Sequence, residues 1–92
     1  MPLTSGEAVG YDANRMCYEF TMMNQDAVVP CSISSVALDE LARRSASRDS
    51  DRDAQFLAFR EQIEDLASTV FEKCGLDRGA VRIFAKHFRY GI

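Results

Sequence analysis

The sequence predicts an α+β fold in which a small antiparallel sheet, made of a β-hairpin and a C-terminal strand, packs against one short and one long helix. The predicted order of elements is β-β-α-α-β. Two observations predict this fold. Apolar residues alternate with other residues over two neighbouring segments near the N-terminus, which is the period of a strand. Over residues 54–74 they recur every three or four positions, which is the period of a helix.

Length and composition fit a single domain over residues 1–92. Hydrophobic residues make up 47% of the chain and charged residues 27%, which is a globular composition rather than a disordered one. No apolar run approaches the roughly 18 residues of a membrane span, and no basic region followed by an apolar stretch opens the chain. The three cysteines form no close pairs, which fits a reducing compartment. We therefore expect a cytoplasmic protein that does not contact a membrane.

The N-terminal third predicts a loose arm followed by a β-hairpin. Residues 1–10 contain one proline and two glycines and show no apolar period, which predicts the arm. The hairpin has its tip at residues 24–26. The register that buries one apolar face pairs Met22 with Ala27, Phe20 with Val29, Tyr18 with Cys31 and Met16 with Ile33. In this register Cys17 and Cys31 point to opposite faces of the hairpin, so we expect no disulfide between them.

A short helix and a linker are predicted after the hairpin. The helix covers residues 35–44 and starts at Ser34 or Ser35, because a serine hydroxyl caps the free backbone amides of a first turn. Residues 45–53 have no apolar period and are dense in serine, aspartate and arginine. They predict an exposed, charged linker between the two helices.

The long helix over residues 54–74 has the clearest apolar period in the chain. Asp51 or Asp53 is expected to start it, and Gly75 is expected to end it. Its apolar stripe consists of Phe56, Leu57, Phe59, Ile63, Leu66, Ala67, Val70, Phe71 and Cys74. This stripe is broader than a three-stranded sheet and one short helix require, so we predict a homodimer formed through this helix.

The C-terminal segment predicts a third strand and carries a cluster of basic residues. Val81 and Ile83 alternate with polar or larger residues, which predicts a strand to about residue 84, although a helix fits part of the same pattern and residues 85–92 stay open. Basic residues interleave with aromatic ones, which is a pattern that can bind phosphates while bases stack on the rings. The basic positions are Arg78, Arg82, Lys86, His87 and Arg89. Because the net charge of the chain is −3, nucleic-acid binding is not the preferred interpretation.

The sequence shows no motif for catalysis, for a metal or for a nucleotide. His87 lies between Lys86 and Arg89, whose positive charges disfavour its protonation, and no neighbouring carboxylate is placed to orient it. Cys74 is at the predicted end of a helix, where the helix dipole opposes thiolate formation. We therefore expect no enzymatic activity, no cofactor and no metal ion.

Three motifs connect the sequence to a known family. They are Tyr11-Asp12-x-x-Arg15-x-x-Tyr18-x-Phe20, Val29-x-Cys31-x-Ile33-x-x-x-Ala37-Leu38 and Phe56-x-x-x-Arg60-x-x-Ile63-x-x-x-Ala67-x-x-x-Phe71. In these motifs the chain resembles the bacterial family called domain of unknown function 1488, over residues 11–84. The resemblance implies a compact α+β fold and a bacterial cytoplasmic setting, and it brings no activity, cofactor or catalytic residue.

The polar positions in these motifs suggest a cluster of Tyr11, Asp12, Arg15 and Arg60. An ion pair from Asp12 to one of the two arginines is expected to pin the N-terminal arm, whereas a cleft shared with Tyr11 would instead bind a small acidic ligand. Taken together, these observations predict a small non-enzymatic interaction or accessory module with a possible protein partner. The alternatives are a nucleic-acid-associated regulator that uses the basic C-terminal segment, and a small-ligand-binding protein built around the polar cluster.

Overall fold

The computed structural model describes residues 3–42 and 50–86, and it confirms the α+β class. The elements in chain order are β1 Thr4–Asp12, β2 Cys17–Asn24, β3 Ala27–Ser34, α1 Ser35–Ala42, α2 Ser50–Ala58, α3 Arg60–Cys74 and β4 Val81–Ile83. The strands form one sheet in the order β1-β2-β3-β4. The pairs β1–β2 and β2–β3 are antiparallel, and β3–β4 is parallel. The sheet is therefore mixed and has one strand more than predicted.

The additional strand lies in the segment for which the sequence predicted a loose arm over residues 1–10. That prediction is wrong from residue 3 onward, and residues 1–2 lie outside the described part of the chain. Strand β1 pairs with β2 from Thr4, which faces Met23, to Asp12, which faces Cys17. Leu3 is buried, and its N–H donates to the Ser68 hydroxyl over 3.1 Å. The register of β1 shifts on either side of Ala8, and most of its side chains are exposed because it is an edge strand. These shifts remove the period of two by which a strand is recognised.

The hairpin register differs from the predicted one by two residues. Tyr18 faces Ile33, and Phe20 faces Cys31. The turn consists of only Gln25 and Asp26, and Gln25 adopts a left-handed φ of 57°. A shift of two residues keeps every side chain on its own face, so the predicted apolar face is correct apart from its two ends, Met16 and Ala27, which are both exposed. Apolar alternation alone cannot distinguish the two registers, and the length of the turn decides between them.

The opposite orientation of Cys17 and Cys31 survives this correction. Cys17 pairs with Ser34 and Cys31 pairs with Phe20, so the two pairs are three positions apart along the hairpin. Because side chains alternate between the two faces of a sheet, the two thiols lie on opposite faces. Both thiols are buried and unbonded, and Cys74 is an exposed free cysteine.

The first helix starts as predicted, but the linker prediction is wrong over residues 50–53. The Ser34 hydroxyl accepts the Ala37 N–H over 3.1 Å and caps α1. Residues 50–53 belong to α2, which begins before the two aspartates expected to start it. Two acids in the first turn of α2 complement the positive end of its dipole, so a composition that resembled a linker is also that of a helix start. Residues 43–49 lie outside the described part of the chain.

The predicted long helix is two helices. They meet at Phe59, whose φ of −118° and ψ of 19° interrupt the helical backbone. At the C-terminal end of α3, Gly75 has a φ of 71°, and its N–H donates to the Phe71 carbonyl over 3.0 Å. Gly75 therefore ends the helix with a positive φ, as predicted.

The apolar stripe of α2 and α3 packs mainly against the chain's own sheet. Phe56, Ile63, Ala67 and Val70 are each at most 2% exposed, and three more members of the stripe pack partly buried against the same core. The stripe is broad because the sheet beneath it has four strands rather than three. The homodimer through residues 54–74 stays a prediction. Leu57, which is 60% exposed, is the large apolar side chain of this segment that remains available for such a contact.

Strand β4 forms where a strand was predicted, but its direction was predicted wrongly. Val81 faces Cys31 and Ile83 faces Ile33 in a parallel pair. The connection from β3 to β4 runs through all three helices, and a helical crossover of this kind joins parallel strands. Residues 87–92 lie outside the described part of the chain.

Among the described helices, none has both the length and the apolar character that a membrane span requires.

Helix α2 is held to the sheet by a buried tyrosine. The Tyr18 ring stacks on the Phe56 ring at a centroid distance of 4.6 Å, and its hydroxyl donates to the Asp53 carboxylate over 2.7 Å. Burial, followed by this hydrogen bond and the charge of Asp53, raises the pKa of Tyr18 from 10.0 to about 12. The neutral phenol is thus the form that the fold stabilises.

This shift predicts a loss of stability at high pH. Between the ordinary pKa of 10.0 and the raised value of about 12, the unfolded chain releases the Tyr18 proton while the folded chain keeps it, so the free energy of unfolding falls as pH rises. We expect a fall of about 2 kcal/mol from this residue. Urea denaturation of the wild type and of Tyr18→Phe at several pH values isolates it, because other groups, including buried Cys31, titrate in both proteins. A stability difference that stays constant across this pH range would contradict the prediction.

Candidate functional site

The sheet has one face packed against the helices and one face that the described residues leave open. Tyr18, Phe20 and Met22 of β2 point to the packed face and are at most 2% exposed. Side chains of opposite parity point to the open face, where Val9 is 63% exposed and Val28 is 61% exposed. The described residues therefore leave this face accessible to another molecule.

A groove of about 180 Å³ lies on this open face. Its lining comes from every strand of the sheet and from the residues next to them, and consists of Val9, Arg15, Cys17, Glu19, Phe20, Thr21, Pro30, Cys31, Ser32, Ala80 and Arg82. A water molecule occupies roughly 30 Å³ in the liquid, so the groove has the volume of about six waters. Sites for drug-sized ligands and cofactors are typically about 300–1,000 Å³. The groove is therefore about the size of an amino-acid side chain and smaller than a typical site for a drug-sized ligand.

Arg15 lies on the turn between β1 and β2. One Asp12 carboxylate oxygen accepts the backbone N–H of Asn14 over 3.0 Å and that of Arg15 over 3.3 Å, which orders the turn. The Met16 carbonyl accepts the Ser35 N–H over 2.8 Å and ties the turn to the start of α1. The Arg15 side chain is 67% exposed, and its Nε is 3.9 Å from Asp12. An ordered turn thus presents a largely exposed guanidinium to the groove.

Arg82 enters the same groove from β4. Its side chain is 26% exposed, and its Nε donates to the Asp77 carbonyl over 3.3 Å and lies 3.9 Å from the Asp77 carboxylate. Asp77 belongs to a tight turn closed by two backbone hydrogen bonds with Ala80, of 2.7 and 3.2 Å. Arg78 and Gly79 at the tip of this turn have φ values of 55° and 82°. Arg82 is therefore anchored at its Nε, and its two Nη groups remain as donors.

The Cys17 thiol lies in the groove, where the charges of both arginines influence its pKa. Burial is the main cause that raises the pKa of this thiol, and the charges of Glu19 and Asp12 raise it further. The positive charges of Arg15 and Arg82 act in the opposite direction, so both guanidiniums are within electrostatic range of one sulfur atom. With its pKa raised, Cys17 stays a neutral thiol rather than a nucleophilic thiolate.

The four residues of the predicted polar cluster do not converge on one site. Asp12 pairs with Arg15, whereas Tyr11 packs against the core with the Arg52 guanidinium 5.3 Å from its ring centroid. Arg60 lies on α3, pairs with Glu64 over 3.1 Å and donates to the Gly6 carbonyl over 2.8 Å. The N-terminal strand is thus fastened by Arg60 through a backbone carbonyl, and no cleft joins Arg60 to Tyr11, Asp12 and Arg15 within the described ranges.

The predicted basic patch contributes one residue to the groove. Arg82 lines it, Arg78 is exposed on the neighbouring turn, and the Lys86 ammonium is 5.7 Å from the Phe84 ring centroid. His87 and Arg89 lie outside residues 3–42 and 50–86. Sequence reasoning selected Arg15 and Arg82 separately and did not join them, because only the parallel pairing of β4 beside β3 brings them to one face.

The described residues form no cluster of potential metal ligands. Across 3–42 and 50–86, no group of three or more histidine, cysteine, aspartate or glutamate residues is placed to hold a metal ion. Glu64, Asp65 and Glu72 border a second depression of about 450 Å³ beside α3, where Glu64 is already paired with Arg60.

These features define a class of protein: a small α+β domain whose helices cover one sheet face and whose other face carries a shallow groove between two arginines. The family model described as "Protein of unknown function (DUF1488)" matches residues 6–83, and the chain belongs to this family. The match confirms the resemblance seen in the sequence motifs. It begins at residue 6 rather than 11 and so takes in most of β1.

A solved structure shares this fold. The crystal structure of a protein of unknown function from the DUF1488 family of Shewanella loihica PV-4, at 1.60 Å resolution, is 24% identical in sequence. The alignment covers 89% of this chain and 91% of that chain, with a TM-score of 0.80. At this level of identity the likeness shows the fold. The comparison with curated proteins finds no match.

Proposed function

We propose that the chain is a small non-enzymatic interaction module of the bacterial cytoplasm, and that it binds a partner protein through the open face of its sheet. One observation carries the proposal: a sheet face that no described helix covers combines exposed apolar side chains with a groove of side-chain size. Exposed faces of antiparallel sheets are normally polar, so apolar residues there favour a binding surface.

The apolar residues on this face flank the groove. Val9 on β1 lines it directly, and Val28 on β3 lies two residues before Pro30, which also lines it. Val9 and Val28 are 63% and 61% exposed, so each has apolar area to bury against a partner. A protein interface usually has a buried apolar core and a polar rim, and Val9 and Val28 can supply apolar area to such a core.

The chemistry of the groove supports binding rather than catalysis. Its thiol, Cys17, is buried and protonated, and Glu19 raises its pKa instead of activating it. The volume of about 180 Å³ leaves little space for a substrate together with a catalytic group. The unpaired cysteines on both sheet faces support the cytoplasmic setting.

Affinity purification from the native host tests the proposal. The bait is the tagged full chain, compared with Val9→Lys/Val28→Lys and with a control, Leu57→Lys, that makes the same change at an exposed apolar position on α2. We expect the double variant to recover the partner protein at least about tenfold less well, as for the loss of an interface hot spot. The control is expected to recover it as the wild type does. Circular dichroism verifies that all three proteins are folded.

Three outcomes would count against the proposal. They are equal recovery by the double variant, loss of the partner from the Leu57→Lys control alone, and a recovered species that disappears on nuclease treatment. The last outcome would favour the nucleic-acid alternative.

A further inference from the structure

We propose that the groove binds a carboxylate of the partner, an aspartate or glutamate side chain in an acidic protein segment, between Arg15 and Arg82. This inference rests on the proposed function and names the chemistry that the open face recognises. It joins two arginines that lie far apart in the sequence and that the parallel pairing of β4 with β3 brings to one groove.

The two guanidiniums have donors to spare. Each arginine lies 3.9 Å from its own acidic neighbour, Asp12 or Asp77. A strong charge-assisted hydrogen bond is about 2.7–2.9 Å long, so both existing pairs are loose. A guanidinium carries five N–H donors. Of the guanidinium donors of Arg15 and Arg82, only Nε of Arg82 forms a hydrogen bond with another described residue, the Asp77 carbonyl. The remaining donors can form paired hydrogen bonds with a carboxylate.

The charge of the lining fits a single negative group. Two arginines and one acid, Glu19, line the groove, while Asp12 and Asp77, each 3.9 Å from one of these arginines, do not line it. The lining alone therefore carries one more positive than negative charge, which one carboxylate can balance. A phosphate dianion brings twice this charge to one point, which the neighbouring Glu19 opposes.

The walls and the volume favour a side chain on a protein over a free small molecule. The groove holds about six water volumes, and Val9, Thr21 and Pro30 supply apolar contact area. These apolar walls lower the local dielectric constant, which strengthens the ion pairs. The Ser32 hydroxyl lines the same groove and is a further donor. Val28 extends the contact beyond the groove, which a protein segment can use and an isolated acid cannot.

An NMR titration of the full chain tests the inference. The probe is a blocked tetra-glutamate peptide, and the matched probe is blocked tetra-glutamine, which has nearly the same shape without charge. We expect saturable shifts of the backbone amides of Cys17, Glu19, Ser32 and Arg82 with tetra-glutamate, and none with tetra-glutamine. Arg15→Gln and Arg82→Gln should each weaken binding at least about tenfold, because each removes one partner of a charge-assisted pair. Glu19→Gln should strengthen binding several-fold by removing repulsion.

Arg78→Gln is the matched control, since it removes the same charge from an exposed turn residue that does not line the groove. It should leave tetra-glutamate binding within about twofold of the wild type. Equal weakening by Arg78→Gln and Arg82→Gln would show bulk attraction and overturn the inference. So would equal shifts with tetra-glutamine, no shifts at about 10 mM peptide, or tighter binding of inorganic phosphate than of the peptide.

The two proposals can fail separately. If capture of a partner depends on Val9 and Val28 while tetra-glutamate produces no shift, the open face is an interface but the carboxylate assignment is wrong. If the peptide binds as described while capture is indifferent to Val9 and Val28, the groove binds carboxylates and the wider interface is wrong.

Discussion

Replacing Phe56 with alanine is expected to lower the free energy of unfolding by about 3 to 5 kcal/mol. Phe56 is 1% exposed and lies where α2 meets the sheet. Its ring stacks on Tyr18 at 4.6 Å, lies 5.1 Å from Phe20 and has the Arg60 guanidinium 5.7 Å from its centroid. Alanine removes these contacts and leaves a cavity that a backbone fixed on both sides cannot close.

The loss is large for a domain of this size. Total stabilities of small domains are about 5–15 kcal/mol, so the variant should be partly unfolded at moderate temperature. Urea denaturation followed by circular dichroism measures the change. Leu57→Ala is the control, because the neighbouring side chain is 60% exposed and its truncation should change the free energy of unfolding by no more than about 0.5 kcal/mol. Equal effects of the two substitutions would place Phe56 outside the core.

Replacing Gly6 with alanine should cost about 3 kcal/mol, at the upper end of what overpacking costs. A Cβ at this position would lie 2.3 Å from the Thr21 carbonyl oxygen and 2.6 Å from the Thr21 hydroxyl oxygen. The nearest atom belongs to the backbone of β2, so no rotation of a side chain relieves the clash. Strand β1 has to move away from β2, which also strains the hydrogen bond of 2.8 Å from Arg60 to the Gly6 carbonyl.

Thermal denaturation and amide hydrogen exchange measure this effect. Exchange should quicken most along β1, because this edge strand can separate without unfolding the helices. Glu7→Ala is the control, since the Glu7 side chain is exposed on the same strand while the contact of that residue with Thr21 uses its backbone N–H. A Gly6→Ala variant as stable as Glu7→Ala would mean that β1 does not pack closely against β2.

The parts of the fold that depend on local pattern were predictable. Tyr18, Phe20 and Met22 lie on the buried face of the hairpin, as their alternation indicates, and Ser34 caps the first helix. Gly75 ends α3 with a positive φ. In each case the cause acts between residues close together in the chain, so the sequence pattern reports it directly.

The parts that depend on distant neighbours were not predictable. Strand β1 has no apolar period, because its pairing register shifts twice and because most of its side chains are exposed at the edge of the sheet. Its strand conformation depends on pairing with β2. The break at Phe59 lies inside an unbroken apolar stripe, which continues across it. The hairpin register was ambiguous because two registers bury the same face.

The candidate site follows the same division. Arg15 and Arg82 were each recognisable in the sequence, one from a motif and the other from a basic segment. Alternation also placed Cys17 and Arg82 away from the apolar face of their strands. That pattern does not specify which strand β4 pairs with or in which direction. It also does not indicate that Arg15 and Arg82 line the same groove.

From its letters alone, this chain specifies an α+β fold, the apolar face of its hairpin, the start of α1 at Ser34 and the end of α3 at Gly75, because these follow from side-chain period and short-range hydrogen bonds. The tertiary structure decides the fourth strand, the parallel β3–β4 pair and the groove that Arg15 and Arg82 share. Those features depend on pairing between segments distant in sequence. The free energy of such pairing comes from the whole core, and no local pattern records it.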